Sequence, residues 1–206
     1  MPAILLSLLS GAVIAAKPLT PLPWFTFDDY PMQAFEKKWE GVTKVDLLVA
    51  PDGSIANCRV TQSSGHEQLD RTTCYLAGKR VKFVPAKDSD GRAAYGVYRS
   101  QAVWVLPERQ MIDANPGPDL EVSLNHLPEG TTEPPVVKLA YSVDVRGNPS
   151  SCSLMQSSQY QPQMLVDLGC KELLQSVPRE PVIGPAGQAV EAVKTGAVMF
   201  KTGSGR

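Results

Sequence analysis

Apolar and polar residues alternate along the chain in a pattern that predicts the same elements twice. In the first half, every second residue is apolar over 45–49 and again over 56–60, with the turn residues 51–53 between the two runs. In the second half, the alternation covers 139–145 and resumes at Cys152 and Leu154 after a turn at 146–148. Alternation of this kind on both sides of a turn predicts a β-hairpin in each half.

A helix-start signature follows each hairpin. Ser64 precedes Glu67 by three residues, and Ser158 precedes Gln161 by the same spacing, so each pair predicts a capping box. A final apolar strand is predicted over 97–106 in the first half and over 192–201 in the second. The order hairpin, helix, strand predicts an α+β fold in which each half has an antiparallel sheet with a helix packed on one face.

The two halves also share residues at constant offsets, which indicates an internal repeat. At an offset of 94, the matching positions are Gly53 with Gly147, Cys58 with Cys152, and 62–64 with 156–158. At an offset of 96, they are Pro85 with Pro181, Gly91 with Gly187, and Trp104 with Phe200. We therefore predict two small domains, at 30–106 and 136–201, joined by a Pro-rich linker at 107–135.

The N-terminal residues 1–16 contain an apolar stretch that is too short to span a bilayer, for which about 20 residues are needed. This length is typical of the apolar region of a signal peptide, so we predict an exported protein. An uncleaved membrane anchor and a packed helix are the alternatives. The segment 17–29, which has three prolines between Lys17 and Pro23, is predicted to be an extended linker.

The four cysteines fall at equivalent places of the repeat. Cys58 and Cys152 lie in the second strand of each hairpin, and Cys74 and Cys170 lie in each predicted helix. The repeat therefore predicts the pairs Cys58–Cys74 and Cys152–Cys170, each of which would join a helix to its sheet. Redox or metal chemistry and buried free thiols are the alternatives, although the chain has no Cys-x-x-Cys motif and only two histidines, His66 and His126.

The composition argues against several classes of function. The chain has 20 basic and 21 acidic residues, and its basic residues form no long cluster, so no nucleic-acid partner is expected. His66 and Glu67 are followed by Asp70 where a metalloprotease helix needs a second histidine. We predict no enzyme, no cofactor, no metal and no small-molecule substrate. A secreted enzyme with Cys58 or a serine as nucleophile is the weakest alternative.

A series of residues in the first half carries a resemblance to a known family. The series is Tyr30, Pro31, Ala34, Gly41, Asp52, Gly53, Ser63, Ser64, Gly65, Leu69, Asp70, Phe83, Pro85, Asp90 and Gly91. In this order they resemble the C-terminal domain of the TonB family, the periplasmic part of energy transducers that contact outer-membrane transporters. Residues 136–201 resemble a degenerate second copy.

The resemblance implies how such a domain binds a partner. An extended peptide of an outer-membrane transporter, or of another envelope protein, would add a strand to an exposed sheet edge. The resemblance places this site on the last strand of the first half, at Tyr98, Arg99, Ser100, Gln101 and Ala102. It also implies a periplasmic location and a role in TonB-dependent transport, and anchoring to the membrane by the N-terminal segment is the alternative to a free periplasmic protein. The alternative is a non-enzymatic structural module of the envelope, in which the two copies cover each other's edges.

Overall fold

The computed structural model describes residues 11–21, 23–106, 117–129, 131, 134–155 and 161–202. The strands of the first half are β1 (Lys17–Pro18), β2 (Gly41–Val49), β3 (Ile55–Gln62), β4 (Phe83–Val84), β5 (Ala86–Lys87) and β6 (Ala93–Trp104). Its helices are α1 (Met32–Glu36) and α2 (Glu67–Arg80). The second half has β7 (Leu120–Leu124), β8 (Val136–Val143), β9 (Pro149–Leu154), α3 (Gln163–Ser176), β10 (Val182–Ile183), β11 (Ala189–Val190) and β12 (Ala192–Thr202).

The order of hairpin, helix and strand recurs in both halves as the alternation predicts. β2 pairs antiparallel with β3 on one side and with β6 on the other, and β8 lies in the same way between β9 and β12. The last strand of the first half begins at Ala93, four residues before the predicted start at Val97. This extension pairs with β5, a partner that the alternation alone does not indicate.

The two halves share one sheet instead of forming two separate ones. β6 and β12 run parallel and pair at Tyr95 with Ala192 and at Gly96 with Val193. The strand order is therefore β3-β2-β6-β12-β8-β9, with β5 added to β6 and β7 added to β12. The predicted domains 30–106 and 136–201 correspond to the two ends of this sheet. The predicted fold class is therefore corrected in one respect, because the two halves share one sheet and do not have a separate sheet each.

The helices α2 and α3 pack on opposite faces of the shared sheet. Val97 and Tyr98 are neighbours in β6 and point to opposite faces. Tyr98 packs in the cluster that contains Ala77 of α2, whereas Val97 packs in the cluster that contains Leu165 of α3. Parallel pairing of two equivalent strands with their helices on opposite faces is the arrangement that a two-fold axis along the strands would generate.

The described part of the predicted signal segment packs against the sheet. Val13 is 3% exposed, and its carbonyl oxygen accepts a hydrogen bond of 2.7 Å from Ser153 Oγ of β9. Ala16 is also buried, and Ile14 forms a β-bridge with Lys87. Residues 1–10 lie outside the described residues, so the signal peptide stays a prediction.

Two segments that the sequence assigns to linkers form ordered structure. In the segment 17–29, β1 pairs with β4, and Trp24 is 3% exposed because its ring packs on Phe83 and Tyr98. In the segment 107–135, residues 107–116 lie outside the described residues, but β7 pairs with β12 over five positions. Both linker assignments are therefore wrong at β1, Trp24 and β7. At these places strand pairing and burial produce ordered structure despite the proline-rich composition.

Two disulfides join the helices to the hairpins as the repeat predicts. Cys58 bonds Cys74 with a Cα–Cα distance of 5.6 Å, and Cys152 bonds Cys170 at 5.7 Å. The predicted capping box at Ser64 is wrong, because α2 begins at Glu67 and Ser64 Oγ donates to the Asp70 carboxylate instead. The second predicted box includes Ser158, which lies outside the described residues, as does the repeated stretch 156–158.

Candidate strand-binding edge

The two long edges of β6 differ in what covers them. β2 pairs with β6 from Gly96 to Trp104 and covers its inner edge. On the outer edge, β12 pairs with Tyr95 and Gly96, after which the two strands diverge. Beyond Gly96, the residues that the structure describes include no strand paired with this outer edge. The stretch from Tyr98 to Trp104 is about 20 Å long at about 3.3 Å per residue, which is enough for a strand of five or six residues.

A cleft separates the diverging halves of the sheet. It has a volume of about 760 Å³. One wall is built from β6 and β2 and includes Ser100, Gln101 and Val103. The other wall is built from the second half and includes Asp119 and Ala197. The cleft therefore follows the outer edge of β6, and a strand added to that edge would enter it.

The side chains of the five predicted site residues point to both faces of the sheet. Tyr98 contacts Phe83 with ring centroids 5.1 Å apart, and Ala102 is 2% exposed beside the α2 core. These two side chains support the fold, so their contribution to a bound strand would come from the backbone. Burial raises the pKa of the Tyr98 hydroxyl, which is therefore neutral over the physiological range.

Arg99 links the two walls of the cleft. Its guanidinium forms an ion pair with Asp119 at the start of β7, and Nη2 donates a hydrogen bond of 3.3 Å to the carbonyl oxygen of Thr195 in β12. Desolvation opposes the charged form of Arg99, but the hydrogen bond to Asp119 and the negative charges of Asp119 and Asp46 together outweigh it and raise the pKa of the guanidinium. A predicted site residue thus holds the second half in place.

Charged side chains also line a smaller cavity of about 410 Å³ next to this cleft. Asp46 of β2 accepts a hydrogen bond of 2.7 Å from Arg59 of β3 across the hairpin. Burial lowers the pKa of the Lys194 ammonium, and the nearby charge of Arg99 lowers it further. Burial raises the pKa of Tyr141, which lies in the same cavity. The lining of this adjacent cavity therefore includes side chains of both charges.

A buried carboxylate fixes the strand β2 and the helix α2 behind the edge. Asp70, which is 8% exposed, accepts hydrogen bonds from Thr43 Oγ1 at 2.8 Å, from Ser63 Oγ at 2.5 Å and from the backbone N–H of Ser64 at 2.9 Å. Desolvation alone would raise the pKa of Asp70, but these hydrogen bonds outweigh it and lower the pKa. The network therefore joins β2, the loop after β3 and α2 behind the edge.

The sequence prediction does not include the second wall of the cleft. Asp119, Lys194, Thr195 and Ala197 come from the second half and reach the edge through the pairing of β6 with β12. For Asp119 a signal does exist, because apolar residues alternate over Leu120–Leu124 directly after it. For the β12 residues no local pattern indicates which edge they face.

Comparison with known proteins agrees with the family resemblance in the first half. Residues 28–104 match the model of the family described as Gram-negative bacterial TonB protein C-terminal. A stretch of 62 residues is 40% identical to Protein tonB2 of Pseudomonas aeruginosa. The predicted resemblance to the TonB C-terminal family is therefore confirmed over residues 28–104.

The matched parts of both chains are limited in length. The match to Protein tonB2 covers 30% of this chain and 23% of that protein. No solved structure matches the chain significantly. The second half lies outside the family match, so its status as a second copy rests on the internal repeat. The family match indicates an envelope protein and is consistent with a non-enzymatic one.

Among the described residues, none of the helices is both long enough and apolar enough to cross a membrane.

Proposed function

We propose that the protein is a periplasmic TonB-like protein whose β6 outer edge binds an extended peptide by β-strand addition. The partner is a segment of an outer-membrane transporter or of another envelope protein, and the role lies in TonB-dependent transport. The observation that carries this proposal is the divergence of β6 and β12 after Gly96, next to the cleft of about 760 Å³. Main-chain hydrogen bonds along Tyr98–Ala102 would supply the affinity.

Three features of the edge support this proposal. The family match covers residues 28–104 and therefore includes the edge. The inner side of β6 is held by a nine-residue register with β2, so the strand does not need to reorganise before it binds. The charged Arg99 and Asp119 line the cleft together with the apolar Val103, which matches the mixed character of peptide-binding grooves.

Site-specific photo-crosslinking tests the proposal without breaking the sheet. A photoreactive residue in place of Val103 lines the cleft and should crosslink to a transporter segment in intact cells, with the crosslinked peptide identified by mass spectrometry. The matched control is the same residue in place of Val60, which is 38% exposed on the edge strand β3. Equal capture of transporter peptides from Val60, or none from Val103, would contradict the proposal.

A backbone substitution gives an independent test. Gln101→Pro removes one N–H group of β6 and should lower the capture of transporter peptides at least tenfold. Ala56→Pro is the control, because Ala56 lies at a register shift in the edge strand β3, where proline is tolerated, and its side chain does not line the cleft. Near-ultraviolet circular dichroism should show that both variants keep their tertiary structure. Unchanged capture by a folded Gln101→Pro variant would count against strand addition at this edge.

The alternative function is a structural module of the envelope that binds no peptide. It is favoured by one observation, namely that Ala140 and Val193 of the second half belong to the buried cluster around Leu47 of the first. A shared core of this kind joins the halves whatever their ligand. This alternative predicts that the photoreactive residue at position 103 captures no envelope protein.

A further inference from the structure

The outer edge of β12 is occupied by a segment of the chain itself. β7 pairs parallel with β12 over five residues, from Leu120 opposite Val198 to Leu124 opposite Thr202. β7 follows Asp119 and is separated in sequence from β12 by the whole of the hairpin and helix of the second half. It therefore adds to the sheet as a separate strand and not as part of a hairpin.

Backbone and side-chain contacts hold the first residue of this segment. The backbone N–H of Asp119 donates to the carbonyl oxygen of Ala197 at 2.8 Å. In return, Asp119 Oδ2 accepts a hydrogen bond of 2.7 Å from the backbone N–H of Ala197. The second carboxylate oxygen of Asp119 pairs with Arg99 of β6. An acidic side chain thus fixes the register at which the strand begins.

The rest of β7 shows the alternation of a strand with one packed face. Leu120, Val122 and Leu124 are partly buried against the α3 core. Glu121 and Ser123 are exposed, and Glu121 forms an ion pair with Lys201 of β12. The segment therefore combines main-chain pairing with apolar pockets at alternate positions, the two elements of peptide recognition by strand addition.

The repeat places β7 where a strand would add to the first half. The offset of 96 that matches Trp104 with Phe200 also matches Val198–Thr202 of β12 with residues 102–106, which overlap the open part of the β6 edge. We infer that the outer edge of β12 is a second strand-binding edge, and that the chain's own β7 is its bound peptide. A competing partner is a parallel peptide with an acidic residue followed by aliphatic residues at alternate positions. This inference rests on β12 and β7 alone and does not require that β6 binds a partner.

Because β7 is covalently linked to β12 through the chain, it has an advantage over a free peptide that competes for the same edge. A tethered strand acts at an effective concentration on the order of mM, so a free peptide of equal affinity displaces little of it below that range. Substitutions that weaken β7 lower this barrier and should open the β12 edge to a peptide added in solution.

The test uses the full chain and a synthetic peptide of residues 117–125, with a photoreactive residue in place of Ser123, whose partner in the register is Lys201. Val122→Asp places a carboxylate in the α3 core and should release β7. Ser123→Asp is the matched control, because it adds the same charge on the exposed face of the same strand. We expect the peptide at 0.1 mM to crosslink to β12 at least tenfold more in Val122→Asp than in the control or the natural chain, and to raise the Tm of that variant.

Two results would overturn the inference. The first is a folded Val122→Asp variant that gives no crosslink within β12. The second is an equal crosslink yield in β12 of the natural chain, because β7 would then not occupy the edge. If Val122→Asp does not fold, the double variant Asp119→Ala/Glu121→Ala removes both polar anchors and keeps the apolar residues. It should then show an intermediate, peptide-dependent increase, and the same two results would overturn the inference.

Discussion

The cores of the two halves fill matching places behind the last strand with different kinds of side chain. Behind the last strand, the first half buries a polar network in which Asp70 accepts from Thr43, and Trp104 Nε1 donates to Thr73 Oγ1 at 3.1 Å. These four side chains are 0–8% exposed. At the equivalent positions of the repeat, the second half has Val137, Val166, Gly169 and Phe200. The side chains of Val137, Val166 and Phe200 are equally buried, without any polar group.

The matching positions are therefore polar as a set in the first half and without polar groups as a set in the second. A single apolar replacement would leave buried donors such as Thr43 Oγ1 without an acceptor, which costs about 1–3 kcal/mol for each group. Replacing all partners together avoids that penalty, and an apolar core of similar volume is often as stable. Gly169 supports this view, because a Cβ built there would lie 3.2 Å from Leu139 in the repacked core.

Phe200→Ala should produce the largest loss of stability. The ring is fully buried beneath α3, so its removal should lower the free energy of unfolding by about 3–5 kcal/mol. All three tryptophans lie in the first half, at Trp24, Trp39 and Trp104. Because the halves share a sheet, the loss should appear in urea unfolding followed by tryptophan fluorescence. A tryptophan transition that does not move would mean that the halves unfold independently.

Removal of either disulfide should lower the free energy of unfolding by about 3 kcal/mol. The bonded cysteines are 16 and 18 residues apart in sequence, so the entropy lost on closing the two loops is nearly equal. We expect Cys58→Ala/Cys74→Ala and Cys152→Ala/Cys170→Ala to lower the Tm by similar amounts in differential scanning calorimetry, each with one transition. Two separate heat-absorption peaks in either variant would contradict a single cooperative unit.

Asp70→Val should lower the free energy of unfolding by about 2–3 kcal/mol, because Thr43 and Ser63 lose their acceptor. The double variant Thr43→Val/Asp70→Val copies the residues of the second half. In a double-mutant cycle of urea unfolding, it should lower the free energy of unfolding by less than the sum of the decreases in its two single variants. A cycle with a coupling energy of zero would show that the polar network is not an energetic unit.

The smallest effect concerns an ion pair that the second half lacks, since Ser176 stands at the repeat position of Arg80. Asp29 binds Arg80 through two contacts of 2.6 Å, and the hydrogen bond from Arg80 lowers the pKa of Asp29 to about 2. Because the pKa is lowered on folding, the pair stabilises the protein above about pH 4, and this contribution is lost as the pH falls to about 2.

Asp29→Asn tests this pair directly. It should cost about 1–2 kcal/mol at pH 7, after allowance for the partly exposed Arg80, and it should flatten the fall in stability between pH 4 and pH 2. The control is Asp90→Asn, because the pair of Asp90 and Arg92 is largely exposed. Thermal melting at several pH values measures both variants. An unchanged acid profile in Asp29→Asn would exclude the ion pair as a source of the pH dependence.

Much of each half can be read from local sequence. Alternation specifies the hairpin strands because it records which side of a strand is buried, and Cys58 with Cys74 marks where helix and hairpin meet. Alternation does not locate the candidate edge, because an edge consists of backbone groups that every residue carries. The edge is predicted only through the family resemblance. Proline content misled the prediction at Trp24 and at β7, where strand pairing and burial outweigh local composition.

The sequence by itself therefore determined the order of hairpin, helix and strand in each half and the pairing of the cysteines. The tertiary structure alone decided that β6 meets β12 in parallel at Tyr95 and Gly96, that α2 and α3 lie on opposite faces, and that β7 occupies one outer edge while the cleft borders the other. The physical reason is that side-chain patterns encode which face of a strand is buried, whereas the choice of edge partner depends on backbone hydrogen bonds between segments far apart in the chain.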